Sequence, residues 1–184
     1  MILCGPVGVS PAHWSGAPEV TGPWWCNALE MDDWDGREPT WEQQGNVNKD
    51  LKRIVGYSEG CPDEFGGSWL GDDGSYGVTF TGSLDTHTRR LQDELIYPER
   101  LRAGNTAHSL KELEGIGDQI RTAARSQESL RAGLSGWGVN QRHGVVQVRV
   151  LVNRPDVAAQ LAEWFGQMIE IEFVTERPRA LPHI

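Results

Sequence analysis

The stretch from Leu134 to Val152 constrains the fold most, because it carries the strongest β-strand signal in the chain. Alternate positions of its second half are β-branched valines, which suit a pleated, half-buried surface. These are Val146, Val148, Val150 and Val152. Asn140 and Gly144 bracket a short loop and tolerate a positive φ. The pattern predicts a β-hairpin whose alternate valines face the core, while Gln147 and Arg149 face the other way.

A second hairpin is predicted upstream. Residues 67–71 and 76–81 have the composition of strands and are joined by Asp72-Asp73-Gly74-Ser75, in which Asp-Gly is a strong hairpin signal. The apolar alternate positions of its second strand are Tyr76, Val78 and Phe80. Gly77 and Thr79 occupy the opposite face, an alternation typical of a sheet with one solvated face. The two acids of the turn lack a third ligand in register, so we interpret them as solvated.

Helix signals follow the hairpins. Ser83 is predicted to cap a helix that runs to about Leu95. Ser109 and Glu112 form a capping box for a second helix. Pro155 pre-organises the first turn of a third helix.

Short strands are predicted at residues 100–105 and 168–174. Residues 100–174 then follow the order strand, helix, strand, strand, helix, strand, which is the βαββαβ order of ferredoxin-like folds. The upstream hairpin and helix extend the same sheet. The predicted fold class is α+β, with an antiparallel or mixed sheet and helices on one face.

Three regions are predicted: an irregular N-terminal arm (residues 1–62), the α+β domain (63–174) and an extended tail (175–184). The net charge is −9, and residues 1–65 contribute −7 of it, from 11 acidic and 4 basic side chains. Such acidity disfavours nucleic-acid partners. The chain has no run of 18 apolar residues, so no membrane span is expected.

The arm is rich in tryptophan, unlike disordered tails. Five of the eight tryptophans precede residue 62. Four of them are candidate protein-binding residues: Trp24, Trp25, Trp34 and Trp41. Packing of these indoles on the main domain is one interpretation, and an aromatic ligand platform is the other. One short helix is expected at residues 48–57.

All three cysteines, Cys4, Cys26 and Cys61, lie in the first third of the chain. Poorly cored segments of exported proteins are often held by a disulfide. We hypothesise a Cys26–Cys61 bridge, which contributes about 3–4 kcal/mol in the chain-entropy model. Three reduced thiols in a cytosolic protein are the alternative. Residues 1–5 also look like the end of an apolar export signal whose start lies upstream.

The sequence assigns no catalytic residue, cofactor or metal ligand. It has no Gly-x-Ser-x-Gly motif, and Gly115-Ile116-Gly117 lies inside a predicted helix rather than after a strand. Four histidines deserve testing, but none has metal-ligand spacing to a partner. They are His87, His108, His143 and His183.

Several short motifs resemble the pro-region of secreted chymotrypsin-like serine proteases of the α-lytic protease and streptogrisin kind. The first are Phe65-Gly66-Gly67-Ser68-Trp69-Leu70 and, after a turn, Val78-Thr79-Phe80-Thr81. The helix start Ser109-Leu110-Lys111-Glu112-Leu113-Glu114 follows. The hairpin pieces Trp137-Gly138-Val139-Asn140 and Val145-Val146-Gln147-Val148, and the helix from Pro155 to Gly166, complete the series. The similarity covers residues 65–174 and lies in the order of the motifs.

The resemblance implies a non-catalytic, extracytoplasmic domain that inhibits a protease or assists its folding. It implies a chymotrypsin-like serine protease as partner, contacted by the tail through residues such as Arg177 and Leu181. The chain departs from the pattern in its tryptophan-rich arm, and the resemblance is expected to hold without a protease domain. Two alternatives remain open: a structural or virion-type interaction protein that docks through its arm, and a small hydrolase.

Overall fold

The computed structural model describes residues 40–176, which form five α-helices and six β-strands. In chain order these are α1 (Trp41–Glu59), β1 (Phe65–Leu70), β2 (Tyr76–Phe80), α2 (Leu84–Glu94), β3 (Leu101–Asn105), α3 (Leu110–Ser126), α4 (Glu128–Gly133), β4 (Leu134–Asn140), β5 (Val145–Leu151), α5 (Pro155–Phe165) and β6 (Ile169–Val174). Short 3-10 helices at Pro98–Arg100 and Gly166–Met168 precede β3 and β6. The predicted α+β class is confirmed.

The strands form two three-stranded mixed sheets with the same topology. The first sheet has the order β1-β2-β3 and the second β4-β5-β6. In each sheet the first two strands form an antiparallel hairpin, and the third strand returns parallel to the second. The middle strand of each sheet is therefore the second strand of a hairpin.

The two sheets also match in register, so the described chain contains an internal structural repeat. Tyr76 pairs with Leu101 at the start of the parallel ladder in the first sheet, as Val146 pairs with Ile169 in the second. Both hairpins have a register irregularity within the first three residues of their first strand. We call residues 41–105 the first unit and residues 110–174 the second unit. The first unit begins with one helix and the second with two, and both continue as β-β-α-β.

The predicted single ferredoxin-like sheet is wrong, although the order of elements over residues 100–174 is right. β3 pairs with β2 of the first sheet and not with the strands of the second. The reason is local: a parallel return needs a crossover of a dozen or more residues, usually helical. Residues 81–100, with α2, supply that crossover and bring the chain back beside its own hairpin.

The hairpin that was predicted most strongly is present as β4 and β5. Gly144 has a φ of 64° in its turn, a conformation that glycine adopts without a steric penalty. Val146, Val148 and Val150 are fully buried, as predicted. The prediction for Val152 is wrong, because β5 ends at Leu151 and the Val152 side chain is 52% exposed.

The upstream hairpin is also confirmed, but its middle strand has no solvated face. Tyr76, Val78 and Phe80 are fully buried, and Thr79 and Gly77 on the other face are buried too. The indole of Trp69 covers Gly77 so closely that an added Cβ would lie 2.1 Å from the ring. The alternation was therefore real, but an aromatic side chain from the neighbouring strand covers the second face.

Residues 40–62 are mainly helical, not irregular, and α1 is longer than the helix expected at 48–57. Thr40 and Gln43 form a capping box that starts α1. Its inward side contributes Val47, Leu51 and Ile54 to the core of the first unit. Burying such a side chain contributes roughly 1.5–3 kcal/mol, so α1 is an integral part of the fold.

Capping signals elsewhere had mixed outcomes. Ser109 and Glu112 form the predicted reciprocal capping box at the start of α3. Ser83 does precede α2, but its backbone is left-handed with a φ of 50° and its side chain makes no capping hydrogen bond. Pro155 occupies the first turn of α5 as predicted.

Each unit has its own cluster of buried apolar side chains, and the turn of the second hairpin joins the units. The Gln141 side-chain oxygen accepts a hydrogen bond from the backbone N–H of Ser68 at 2.8 Å. Gly67 has a φ of 147°, and an added Cβ there would lie 2.6 Å from the Gln141 Cβ. The close approach of this turn to β1 therefore requires glycine at residue 67. Across residues 40–176, no helix has the length and apolar character needed to cross a membrane.

Candidate functional site

A hydrogen-bonded chain of three side chains lies between α1 and α2. The Tyr57 hydroxyl is 2.7 Å from Nδ1 of His87, and Nε2 of His87 is 2.9 Å from the Glu64 carboxylate. Both contacts are satisfied when Nε2–H donates to Glu64 and Nδ1 accepts from Tyr57. His87 is only 6% exposed, and its ring stacks on Phe80 with centroids 4.2 Å apart. The histidine is held on three sides.

Tyr57 and His87 of this chain line a groove of about 470 Å³. Arg53, Cys61, Arg90 and Glu94 also line it, together with two glycines of the α1 region. Its walls come from the C-terminal half of α1 and from α2, so the length of α1 is what creates it. The groove thus combines charged groups of both signs with one thiol.

The electrostatics of the groove keep its two weak acids protonated near neutral pH. Burial raises the pKa of Tyr57, and the neighbouring Cys61 raises it further, while a hydrogen bond from Arg90 opposes the shift. Burial also raises the pKa of the Cys61 thiol, and the Glu64 carboxylate is the second cause. A lowered pKa, the opposite shift, is one way in which a nucleophilic tyrosine or cysteine is activated, and an adjacent general base is another. The Glu64–His87–Tyr57 chain links α1, α2 and the loop before β1.

A buried carboxylate, that of Asp50, makes a second set of contacts between α1 and the region that follows α2. Asp50 has no exposed surface and accepts hydrogen bonds from the backbone N–H groups of Ile96 and Tyr97, at 2.7 and 3.0 Å. The Tyr76 hydroxyl donates to it at 3.3 Å, and Arg53 forms an ion pair with it at 3.2 Å. Burial, followed by the charge of Asp50, raises the pKa of Tyr76 well above its ordinary value. Asp50 thus ties α1 to the loop after α2 and to β2.

The second unit presents a different surface at β6, the edge strand of its sheet. Phe173 is 51% exposed and lies beside Val150 in the β5–β6 ladder. Val152, which donates a backbone hydrogen bond to Val174, is also exposed. On the opposite face, Glu172 pairs with Arg149 at 3.0 Å. The strand end therefore offers apolar side chains and a strand edge together.

The equivalent edge of the first sheet lacks this apolar character. Position 105 in the first unit corresponds to position 173 in the second, because Asn105 pairs with Phe80 as Phe173 pairs with Val150. Asn105 is polar and exposed. At the other edge, β1 is covered in part by the Gln141 side chain. We call residues 169–174 with Val152 the β6 edge.

Most of the sequence-predicted site residues lie outside the described residues. These are Cys26, Trp24, Trp25, Trp34, Arg177 and Leu181. Cys61, the one cysteine among residues 40–176, is half-buried, with its sulfur 3.5 Å from the Tyr57 carbonyl oxygen. The Cys26–Cys61 bridge stays a prediction. Trp41 is in the first turn of α1 and is 85% exposed.

The histidines and paired acids named from the sequence do not converge on a metal. Within residues 40–176, no group of three or more His, Cys, Asp or Glu side chains has metal-binding geometry. His143 is 3.7 Å from Glu170 on the surface. Asp73 caps its own turn, because the Ser75 hydroxyl and N–H donate to it and lower its pKa. These acids behave as turn and surface groups.

The Glu64–His87–Tyr57 chain was not predicted from the sequence. Glu64 and Tyr57 are 23 and 30 residues from His87 along the chain, so no local spacing links the three side chains. The only local signal was that His87 lies on the apolar face of α2, at a position where a core residue is expected.

No protein-family model matches the chain, and a search of curated proteins gives no match.

Proposed function

We propose that this protein is a non-catalytic protein-binding module that works outside the cytoplasm. In this proposal it inhibits a chymotrypsin-like serine protease or assists its folding, as the resemblance of residues 65–174 to protease pro-regions implies. Two properties of the groove favour a non-catalytic role: the raised pKa values of Tyr57 and Cys61 oppose nucleophilic chemistry.

The β6 edge is the observation that carries the proposal. An edge strand offers unpaired N–H and C=O groups, and natural proteins usually protect it with lysine, proline or a covering loop. β6 (Ile-Glu-Ile-Glu-Phe-Val) has no lysine or proline, and its two charged residues lie near bases: Glu170 is 3.7 Å from His143 and Glu172 pairs with Arg149. Exposed Phe173 adds an apolar anchor at its end. A partner strand added here would gain backbone hydrogen bonds and one aromatic contact.

The position of the predicted tail also supports the β6 edge as the binding site. Residues 175–176 continue directly from β6, so anything bound at the β6 edge lies beside the start of the tail. Arg177 and Leu181 belong to residues 177–184, outside the described residues. The proposal uses the edge as the main contact and the tail as an extension of it.

An inhibition and refolding assay tests the function. Full-length protein is titrated against a secreted chymotrypsin-like serine protease, and the refolding yield of that protease is measured with and without it. Phe173→Asn should weaken inhibition by about tenfold, because an interfacial phenylalanine contributes at least 1.5 kcal/mol. Ile96→Asn, which removes a partly exposed apolar side chain of the first unit, is the matched control and should leave inhibition unchanged. Absence of both inhibition and folding assistance at any reachable concentration contradicts the proposal.

A small hydrolase is the second candidate, and the Glu64–His87–Tyr57 chain beside the groove is the observation that favours it. Its order of carboxylate, imidazole and hydroxyl is that of a catalytic triad. A screen of ester and peptide substrates with wild-type protein and His87→Gln separates the candidates. The hydrolase is supported if the wild-type protein turns over a substrate and His87→Gln abolishes that turnover while circular dichroism shows an intact fold.

A further inference from the structure

The exposed side of α1 differs from an ordinary solvated helix face. Its outermost stripe comprises Trp41 and, two turns later and then at spacings of three or four residues, Asn48, Lys52, Val55 and Glu59. The Trp41 side chain is 85% exposed and that of Val55 is 43% exposed. A surface helix normally places charged and polar residues on this side. We call this stripe, with the adjoining Lys49 and Arg53, the outer face of α1.

Two glycines interrupt α1 without a described reason. A Cβ built on Gly45 or Gly56 meets no atom within 4 Å. Glycine inside a helix is destabilising by about 0.5–1 kcal/mol relative to alanine. Both residues lie next to the outermost stripe, where small residues let another segment of chain approach the helix backbone closely. The glycines are therefore accounted for if this face is covered.

The middle of the outer face is basic. Lys49 and Lys52 are exposed, and Arg53 keeps 41% of its side chain exposed while it pairs with Asp50. Residues 1–39 carry six acidic side chains against one basic one, Arg37, and four tryptophans. The acids are Glu19, Glu30, Asp32, Asp33, Asp35 and Glu38. Charge and aromatic content of this segment complement the outer face.

We propose that residues 26–38 dock along the outer face of α1 in the same molecule. The chain would reverse at Pro39 and Thr40 and run back antiparallel to the helix. The acids at positions 32, 33 and 35 would then lie near Lys49 and Lys52, and the indole of Trp34 would cover Val55 and the adjoining Gly56. The occupant is a segment of this chain, since it enters at the N-terminal end of the very helix that it covers.

The lengths are compatible with this path. α1 and the turn after it, from Trp41 to Cys61, extend about 30 Å at 1.5 Å per residue. The 14 residues from position 26 to position 40 span at most about 46 Å when extended at 3.3 Å per residue. An incompletely extended segment therefore brings Cys26 to Cys61 in the groove. Closing the predicted bridge removes two protons and two electrons from the two thiols, and a disulfide-exchange oxidant accepts them.

Carbodiimide cross-linking of the full-length protein tests the docking, because the chain holds three lysines and all lie within the described residues. Lys111 is 2.8 Å from the Asp63 carboxylate, so its cross-link is a built-in positive control. We expect Lys49 and Lys52 to cross-link to acids of residues 30–38, as mapped by peptide mass spectrometry. The triple change Asp32→Asn, Asp33→Asn and Asp35→Asn should abolish most of these products and keep the Lys111–Asp63 product.

A mixture of unlabelled and isotope-labelled protein decides between docking within one molecule and docking between molecules. Products that join only segments of the same isotope support the proposal. Mixed-isotope products place the segment on a neighbouring copy, which overturns the proposal and favours the structural or virion-type alternative. Formation of the Lys111–Asp63 product with none from Lys49 or Lys52 to residues 30–38 also overturns it.

Discussion

The two sheets share strand order and register but treat their edges and interiors differently. In the first sheet, Asn105 ends the outer parallel strand and Gln141 covers part of β1. In the second, Phe173 occupies the position equivalent to Asn105 and is half exposed. A repeated topology therefore does not imply a repeated role, because edge residues decide which sheet can accept another strand.

The interiors of the two units also differ in how polar they are. The first unit buries Asp50 and His87 and satisfies each with several hydrogen bonds. The second unit fills its core with aliphatic side chains such as Val148 and Leu161. Buried polar networks fix one arrangement of neighbouring elements when every member is satisfied. The first unit thus uses specific polar contacts to hold α1 and α2, whereas the second relies on apolar packing.

The largest effect is expected from a charge in the apolar core of the second unit. Val148→Asp should lower the free energy of unfolding by several kcal/mol, because Val148 is fully buried with no polar partner for a carboxylate. Gln147→Asp is the matched control on the opposite face, where Glu170 lies directly across the ladder. It should cost less than about 1 kcal/mol. Equal losses in urea unfolding would show that the two faces were assigned in the wrong register.

Removal of the buried carboxylate should have the next largest effect, and in the first unit. Asp50→Ala leaves the N–H groups of Ile96 and Tyr97 and the Tyr76 hydroxyl without their acceptor. The expected loss is about 3 kcal/mol in the free energy of unfolding. Asp50→Asn keeps one acceptor oxygen and should lose less. If neither Asp50→Ala nor Asp50→Asn changes the thermal unfolding of the protein, the polar interior of the first unit does not hold α1 in place.

The smallest effect concerns the thiol of the groove. Because burial and then the Glu64 carboxylate raise the pKa of Cys61, alkylation of the reduced native protein should begin at higher pH than alkylation of the unfolded chain. Glu64→Gln should move the native profile back toward lower pH. Because folding raises the pKa values of Cys61 and Tyr57, both groups contribute fully to stability at a pH below their pKa in the unfolded chain. That contribution is lost as the pH rises through their pKa in the folded protein. Identical native and unfolded alkylation profiles would contradict the assigned environment.

Sequence reasoning succeeded where the determining contacts are local. The β4–β5 hairpin, the Ser109–Glu112 capping box and the Pro155 helix start each depend on residues within a few positions of one another. The missed capping box of Thr40 and Gln43 was equally local and could have been found, but Gly45 and Gly56 lower the helix propensity that follows it.

Sequence reasoning failed where the contacts are distant. The return of β3 to β2, the cover of Gly77 by Trp69 and the anchoring of Asp50 by residues 96 and 97 depend on how whole elements pack. The repeat itself was invisible, because equivalent positions such as Phe65 and Leu134 share size and burial rather than identity. The groove followed from these distant contacts and could not be predicted.

Hydrogen exchange of the full-length protein, alone and mixed with a chymotrypsin-like serine protease whose catalytic serine is replaced, tests most directly whether the β6 edge binds the partner. Strand addition should slow amide exchange in β6 and leave β3, its counterpart in the first sheet, unchanged. The Phe173→Asn protein should show a weaker effect at the same protease concentration. Slower exchange in β3 instead of β6, or no change in either strand at saturating protease, would contradict the assignment.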